Sequence, residues 1–115
     1  MQLLAFSEGL LLAERDGVDP HLAADVMTGS AIGSPMLKAR VPLVLDRPDE
    51  TWFAVDLMHK DIRLALATAN ELGIAVPSAE AADSALRSAE ELGYEHNDIA
   101  ALYRTLAQLS PAVGR

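Results

Sequence analysis

The residues best placed to do chemistry crowd into one short run. From Asp56 to Arg63 the chain carries Asp56, His59, Lys60, Asp61 and Arg63, and the next stretch, Leu64 to Ala69, carries no charge at all. A helix that merely faces water spreads its charges along the whole exposed face, so charge gathered at one end marks a place where it has a use. On a helical layout Lys60 stands between Leu57 and Leu64, with the aromatic Phe53 two turns back. That setting suits a pocket wall offering an ammonium to an anionic or polar ligand. The plainer alternative is an ion pair of Lys60 with Asp56, one turn earlier, contributing about 0.5 kcal/mol or less on a solvated surface.

Other chemistries find little support. His21, His59 and His96 lie far apart, and none has a ligand partner at i+3 or i+4, so no metal is expected. Ser7, beside Glu8, and Ser84 lack a histidine or lysine on the same helix face to activate them, and read as surface or packing residues. The absence of cysteine excludes disulfides and thiolate chemistry. Glu80, Asp83, Arg87, Glu90 and Glu91 form a charged face with an Asp83–Arg87 pair at i, i+4, read as solvated rather than as a binding site.

The elements that must hold the Lys60 run are helices. At 115 residues the chain is one domain, with room for a single core but not for a nucleotide-binding domain and a substrate domain together. Punctuation marks helix ends throughout. Residues Gln2 to Asp16 read as a helix stopped by Gly17, and Asp19-Pro20 and Ser34-Pro35 are each a cap followed by the proline favoured at the first helical position. The second helix runs to about Thr28, and the third to Val41 or a little beyond Pro42. Residues Gly29 to Gly33 form a loop between them, and Arg47-Pro48-Asp49-Glu50 is the next break. A long helix extends from Thr51 or Trp52 to Leu72 and stops at Gly73. Another runs from Ser78 to Leu92 and stops at Gly93, and a last one starts near Asn97 or Asp98 and ends around Ser110-Pro111. Val41 to Leu45 is the likeliest place for a strand, yet no segment alternates for long enough. The expectation is an all-α fold of about six helices.

The long helix has two apolar faces. Met58, Ile62, Ala65, Ala69 and Leu72 make a stripe for the core, and Phe53, Leu57 and Leu64 make another with Lys60 set in it. Both must be covered. In the first helix Leu3, Leu4, Leu10, Leu11 and Leu12 wrap nearly all round, which asks for burial by more than this domain's own core. Half the residues are apolar and mean hydropathy is +0.16, but no uninterrupted apolar stretch approaches the roughly 20 residues of a membrane span. Residues Leu3 to Ala13 read poorly as a signal peptide, which places the protein in the cytoplasm. A net charge of −8 with scattered Lys and Arg argues against nucleic acid.

The run Phe53-Ala54-Val55-Asp56-Leu57-Met58-His59-Lys60-Asp61-Ile62-Arg63-Leu64-Ala65 is similar, without a gap, to the F-x6-K-D-x-x-L-A signature of the β-hydroxyacid dehydrogenases, the 3-hydroxyisobutyrate dehydrogenase family. Further matches surround it in the family's order. They are Glu8 to Glu14 with Gly17 and Asp19, the small-residue loop Gly29 to Ser34, Glu71 to Pro77, and Gly93 with Asp98 to Leu102. The resemblance covers roughly residues 5 to 109 and implies a helical bundle like the C-terminal domain of the related 6-phosphogluconate dehydrogenase. It also implies an NAD- or NADP-dependent oxidoreductase interconverting a short β-hydroxyacid and its semialdehyde.

In that family the signature's phenylalanine, lysine and aspartate lie at the interdomain cleft. By resemblance Phe53 and Lys60 face the cofactor, Phe53 with its ring and Lys60 as a charged donor, and Asp61 accepts hydrogen bonds on the substrate side. Lys60 does not correspond to the family's catalytic lysine. That residue belongs to a G-x-x-G-x-x-x-K segment, which is not found here, and the G-x-G-x-x-G fingerprint is absent too. The expectation is therefore a C-terminal domain over residues 1–115 without the N-terminal Rossmann domain, unable to transfer hydride alone. It would pair as a homodimer and close one wall of the cleft. The alternative is a stand-alone helical interaction module that binds no cofactor.

Overall fold

Asp19 and Ser34 act as the caps their positions imply. The Asp19 carboxylate accepts from the His21 backbone N–H at 2.9 Å, and Ser34 Oγ accepts from that of Leu37 at 3.2 Å, each with a proline next in the chain. In the computed structural model, which describes residues 1–31, 33–46 and 49–110, they open the second and third of six helices. These are α1 (Gln2–Arg15), α2 (Pro20–Gly29), α3 (Pro35–Leu45), α4 (Val55–Leu72), α5 (Pro77–Glu91) and α6 (Ala101–Leu109). Among the described residues there is no sheet, only one isolated antiparallel bridge between Ala54 and Asp98. The fold is all-α, as the sequence indicates. Ile32, the Arg47-Pro48 break and Pro111 lie outside the described residues.

The glycine stops hold as well. At the end of α4, Gly73 adopts φ 69°, Gly73 N donates to Asn70 O and Ile74 N to Ala69 O. This is the double closure that satisfies the last free carbonyls of a helix, and the same pattern follows Gly17 and Gly93. Gly33 has a different reason. A Cβ there would lie 2.1 Å from the carbonyl oxygen of Thr28, so the loop between α2 and α3 closes only over a bare backbone.

Three boundaries differ from expectation. The third helix continues through Pro42 to Leu45, because Leu43 and Val44 are buried in the core and Asp46 N still closes onto Pro42 O at 2.8 Å. The strand considered for Val41 to Leu45 is thus helix. The fourth helix begins at Val55, not at Thr51 or Trp52. Val55 N and Asp56 N donate to Asn97 O and Glu95 O, outside the helix, and Ile99 N donates to Phe53 O. Residues 52–54 therefore lie alongside 97–99, as a bend that ends in the single Ala54–Asp98 bridge. The last helix starts only at Ala101, since Asp98 to Ala100 are turns closed by Ala101 N to Asp98 O and Leu102 N to Ile99 O.

Two buried clusters share α1. The first joins Leu3, Phe6 and Leu10 to Ala24 of α2, Leu37 and Leu43 of α3 and the Ile99-Ala100 turn. The second joins Leu4 to Val55 and Ile62 of α4, Leu86 and Ala89 of α5 and Leu102 of α6. This corrects the expectation for α1. Its leucines point in several directions because the helix lies between both clusters, so the domain itself buries Leu3, Leu4, Leu10 and Leu11 and only Leu12 stays out. The α4 stripe is also displaced. Val55, His59, Ile62 and Ala69 are buried, while Ala65 and Leu72 are exposed, because α4 packs chiefly along the narrow, alanine-rich face of α5.

Candidate functional site

Phe53, Lys60 and Asp61 come from two kinds of structure. Phe53 belongs to the bend ahead of α4, its side chain half-buried against the first cluster. Lys60 and Asp61 lie on the exposed side of α4, with Lys60 about 8 Å along the axis from Val55. Helical side chains lean toward the N-terminus, so the Lys60 stem is inclined toward the Phe53 end of the helix. Leu57 and Leu64, on either side of Lys60, are exposed, which leaves this apolar strip uncovered within the domain.

The ion pair considered for Lys60 does not form. Asp56 instead lies 3.5 Å from His96, and among the described residues Lys60 takes part in no ion pair. Lys60 is exposed, as are Leu57 and Leu64 on either side of it.

The ground beneath Phe53 is held by Asp98, which is only 1% exposed. Its Oδ1 accepts from the backbone N–H groups of Trp52 at 3.0 Å and Phe53 at 2.9 Å, and its Oδ2 from that of Ala100 at 2.9 Å. Arg40 of α3 supplies the counter-charge. Its Nε lies 3.2 Å from Asp98 Oδ2, an ionic contact without hydrogen-bond alignment, and its guanidinium sits 5.6 Å from the centre of the Trp52 ring. In the sequence Asp98 stands only as a possible start of the last helix and as part of the family resemblance. Its reach to residues 52 and 53 is tertiary and left no mark on local periodicity.

A second polar cluster lies under Lys60. His59, 3% exposed, directs Nε2 at Asp83 Oδ1, 2.8 Å away, and Nδ1 at Glu90 Oε1, 2.5 Å away, and Arg87 donates to Asp83 Oδ2 at 2.8 Å. Both ring nitrogens thus lie within hydrogen-bond distance of carboxylate oxygens. The α5 face read as solvated is therefore divided: the Asp83–Arg87 pair forms, but Asp83 and Glu90 turn inward to hold a buried imidazole. The signal was available, since His59 falls between Val55 and Ile62 on the buried stripe, where an ionisable group needs partners. Among the described residues no group of His, Asp and Glu could hold a metal ion, and Ser7 is fully buried, out of reach of any substrate.

The six-helix bundle is that of the helical domain of a 3-hydroxyisobutyrate dehydrogenase-type protein. The backbone superposes with TM-score 0.83 on a crystal structure of 3-hydroxyisobutyrate dehydrogenase from Salmonella typhimurium, at 32% identity over 89% of this chain and 36% of that one. Among curated proteins, glyoxylate/succinic semialdehyde reductase 2 of Arabidopsis thaliana is 31% identical over 104 residues, 90% of this chain and 29% of the relative. L-threonate dehydrogenase of Cupriavidus necator is 33% identical over 104 residues, 90% of this chain and 35% of the relative. The profile described as NAD-binding of NADP-dependent 3-hydroxyisobutyrate dehydrogenase matches residues 1–106. The chain belongs to this 3-hydroxyisobutyrate dehydrogenase family. It spans about a third of the length of the curated relatives it matches. Among the described residues, none of its helices is long and apolar enough to cross a membrane.

Proposed function

We propose that this chain is the helical half of an NAD- or NADP-dependent oxidoreductase that interconverts a short hydroxyacid and the corresponding aldehyde acid, with a Rossmann domain completing the enzyme. The observation that carries this reading is the exposed Lys60, without an ion-pair partner among the described residues and flanked by the exposed Leu57 and Leu64, within a chain of this family. Glyoxylate, succinic semialdehyde, L-threonate and 3-hydroxyisobutyrate, which name the relatives' activities, are all small carboxylates with an aldehyde or hydroxyl.

A cation on α4 and an aromatic ring at the start of that helix suit the anionic and planar groups of such a substrate and of a nicotinamide. The cofactor supplies hydride transfer. This chain's residues orient and enclose: Lys60 donates to an anionic or carbonyl oxygen, Phe53 offers the exposed part of its ring, and Asp61 accepts a hydrogen bond at the cleft edge. Leu57 and Leu64 form the apolar bed that the partner domain covers, excluding water. The residue that moves the substrate proton lies outside this chain. A homodimer contact through another face completes the assembly.

The test joins this chain behind the nucleotide-binding domain of a related dehydrogenase and measures NADH- and NADPH-dependent reduction of succinic semialdehyde and glyoxylate. Turnover is expected from the joined protein and not from the chain alone. Lys60→Met should raise KM about 10- to 100-fold, the loss of one charge-assisted hydrogen bond. A folded joined protein that neither binds nor oxidises either cofactor would overturn the proposal in favour of a stand-alone interaction module.

A further inference from the structure

A buried carboxylate is costly unless its charge is met and its lone pairs are filled. Asp98 has both, and to a degree its own turn does not require. The turn that starts α6 needs one bond, from Ala100 N to Oδ2. The other two donors, Trp52 N and Phe53 N, come from 46 and 45 positions away in the chain, and both converge on Oδ1. Arg40, from a third element, faces the same carboxylate and also covers the Trp52 ring, whose Nε1 donates to Glu50 at 3.0 Å. Three separate parts of the fold meet at the residue just before Phe53.

We infer that Asp98, with Arg40 as its counter-charge, is the positioning residue for Phe53, setting the angle at which that ring meets a cofactor or substrate in the cleft. This rests on the role proposed above for Phe53. The physical reason is that two successive backbone N–H groups held by one carboxylate oxygen fix the peptide plane between Trp52 and Phe53, and with it the direction of the Phe53 Cα–Cβ bond. The bond from Ile99 N to Phe53 O fixes the next plane. Phe53 therefore stands on a backbone fixed on both sides. Without the carboxylate, Trp52 N and Phe53 N turn to water, and the ring, only half-buried on the first cluster, is free to tilt.

The two claims separate in two measurements. In the isolated chain, Asp98→Asn should speed amide exchange at Trp52 and Phe53 by about tenfold or more while Ile62 and Leu86 stay protected. Uniform loss of protection, or none, would overturn the inference. In the joined enzyme, Phe53→Ala and Asp98→Asn should each raise KM for the cofactor about tenfold with kcat within about twofold, and the double variant should be no worse than either alone. A purely structural role would lower the amount of active enzyme and leave KM in place. Additive effects, or an unchanged KM in Asp98→Asn, would sink the positioning role and spare the proposed function. If Phe53→Ala has no effect while amide exchange still loosens selectively, the cleft role of Phe53 fails and the inference fails with it. Should Asp98→Asn not fold, Arg40→Gln keeps the three hydrogen bonds and removes the charge. A KM rise of about threefold is then expected, and an unchanged KM overturns the inference.

Discussion

His21 shows what a single exposed pair can do to one residue. Its Nε2 lies 2.7 Å from Asp46 Oδ1, across the gap between the start of α2 and the end of α3, and Nδ1 lies 3.6 Å from Asp19. The hydrogen bond and charge of Asp46, with a smaller contribution from Asp19, raise the His21 pKa above its ordinary 6.5. Because the folded value is the higher one, the stabilisation is complete below about pH 6.5 and is lost as pH rises through the raised folded pKa. Both partners are well exposed, so the effect on overall stability is small and salt-sensitive. A proton NMR titration of the His21 ring should give a midpoint above 6.5, and Asp46→Asn should bring it back toward that value. A midpoint that does not move on substitution would show that the pair does not form in solution.

Among the elements, α4 and α5 are joined by chemistry as much as by packing. Their seam is lined by alanines and one leucine, Ala82, Leu86 and Ala89, and the His59 cluster fills the gap such small residues leave. Asp83 faces both His59 and Arg87 and is nearly buried, whereas Glu90 reaches the surface. Asp83→Asn should therefore cost about 2 kcal/mol, as expected when a buried carboxylate that holds two hydrogen-bond partners is replaced. Glu90→Gln should cost about 1 kcal/mol or less. Urea unfolding with an unchanged slope measures both, and equal costs would mean that burial is not what gives the cluster its strength.

The same seam shows what the sequence made legible. Caps and stops are local chemistry, a side-chain oxygen two or three residues from a donor or a glycine at positive φ, so Asp19, Ser34, Gly17, Gly73 and Gly93 could be read directly. Phe53, Lys60 and Asp61 were legible as a motif. The inward turn of Asp83 and Glu90, the exposure of Ala65 and Leu72 in the α4 stripe and the late starts of α4 and α6 depend on which segment lies opposite, and periodicity within one segment does not encode its neighbour. Asp98 is the extreme case, with two of its three backbone partners more than 40 residues away.

At the scale of the whole molecule, two of the exposed apolar regions take different parts in the proposed assembly. Leu57 and Leu64 flank Lys60 and belong with the proposed cleft, to be covered by a nucleotide-binding domain. Leu12, 73% exposed, and Leu109, 55% exposed, lie on α1 and α6. A groove of about 330 Å³ at this face is lined by Leu11, Leu12, Leu106 and Arg15. Arg15 is fixed there by donating to the carbonyl oxygens of Ser110 and Ala107, so the groove has one stable wall. A self-complementary contact needs such a face, and a stable one buries roughly 1,000 Å² or more in total. If the dimer forms through α1 and α6, sedimentation of the chain at micromolar concentration should show a dimer. Leu12→Glu with Leu109→Glu should then give a monomer of unchanged helicity, because neither side chain belongs to a buried cluster. Leu64→Glu should leave the dimer intact and instead weaken the joined enzyme, since that strip is assigned to the cleft. A wild-type monomer would remove the dimer from the proposal, and dissociation by Leu64→Glu alone would reverse the assignment of the two faces.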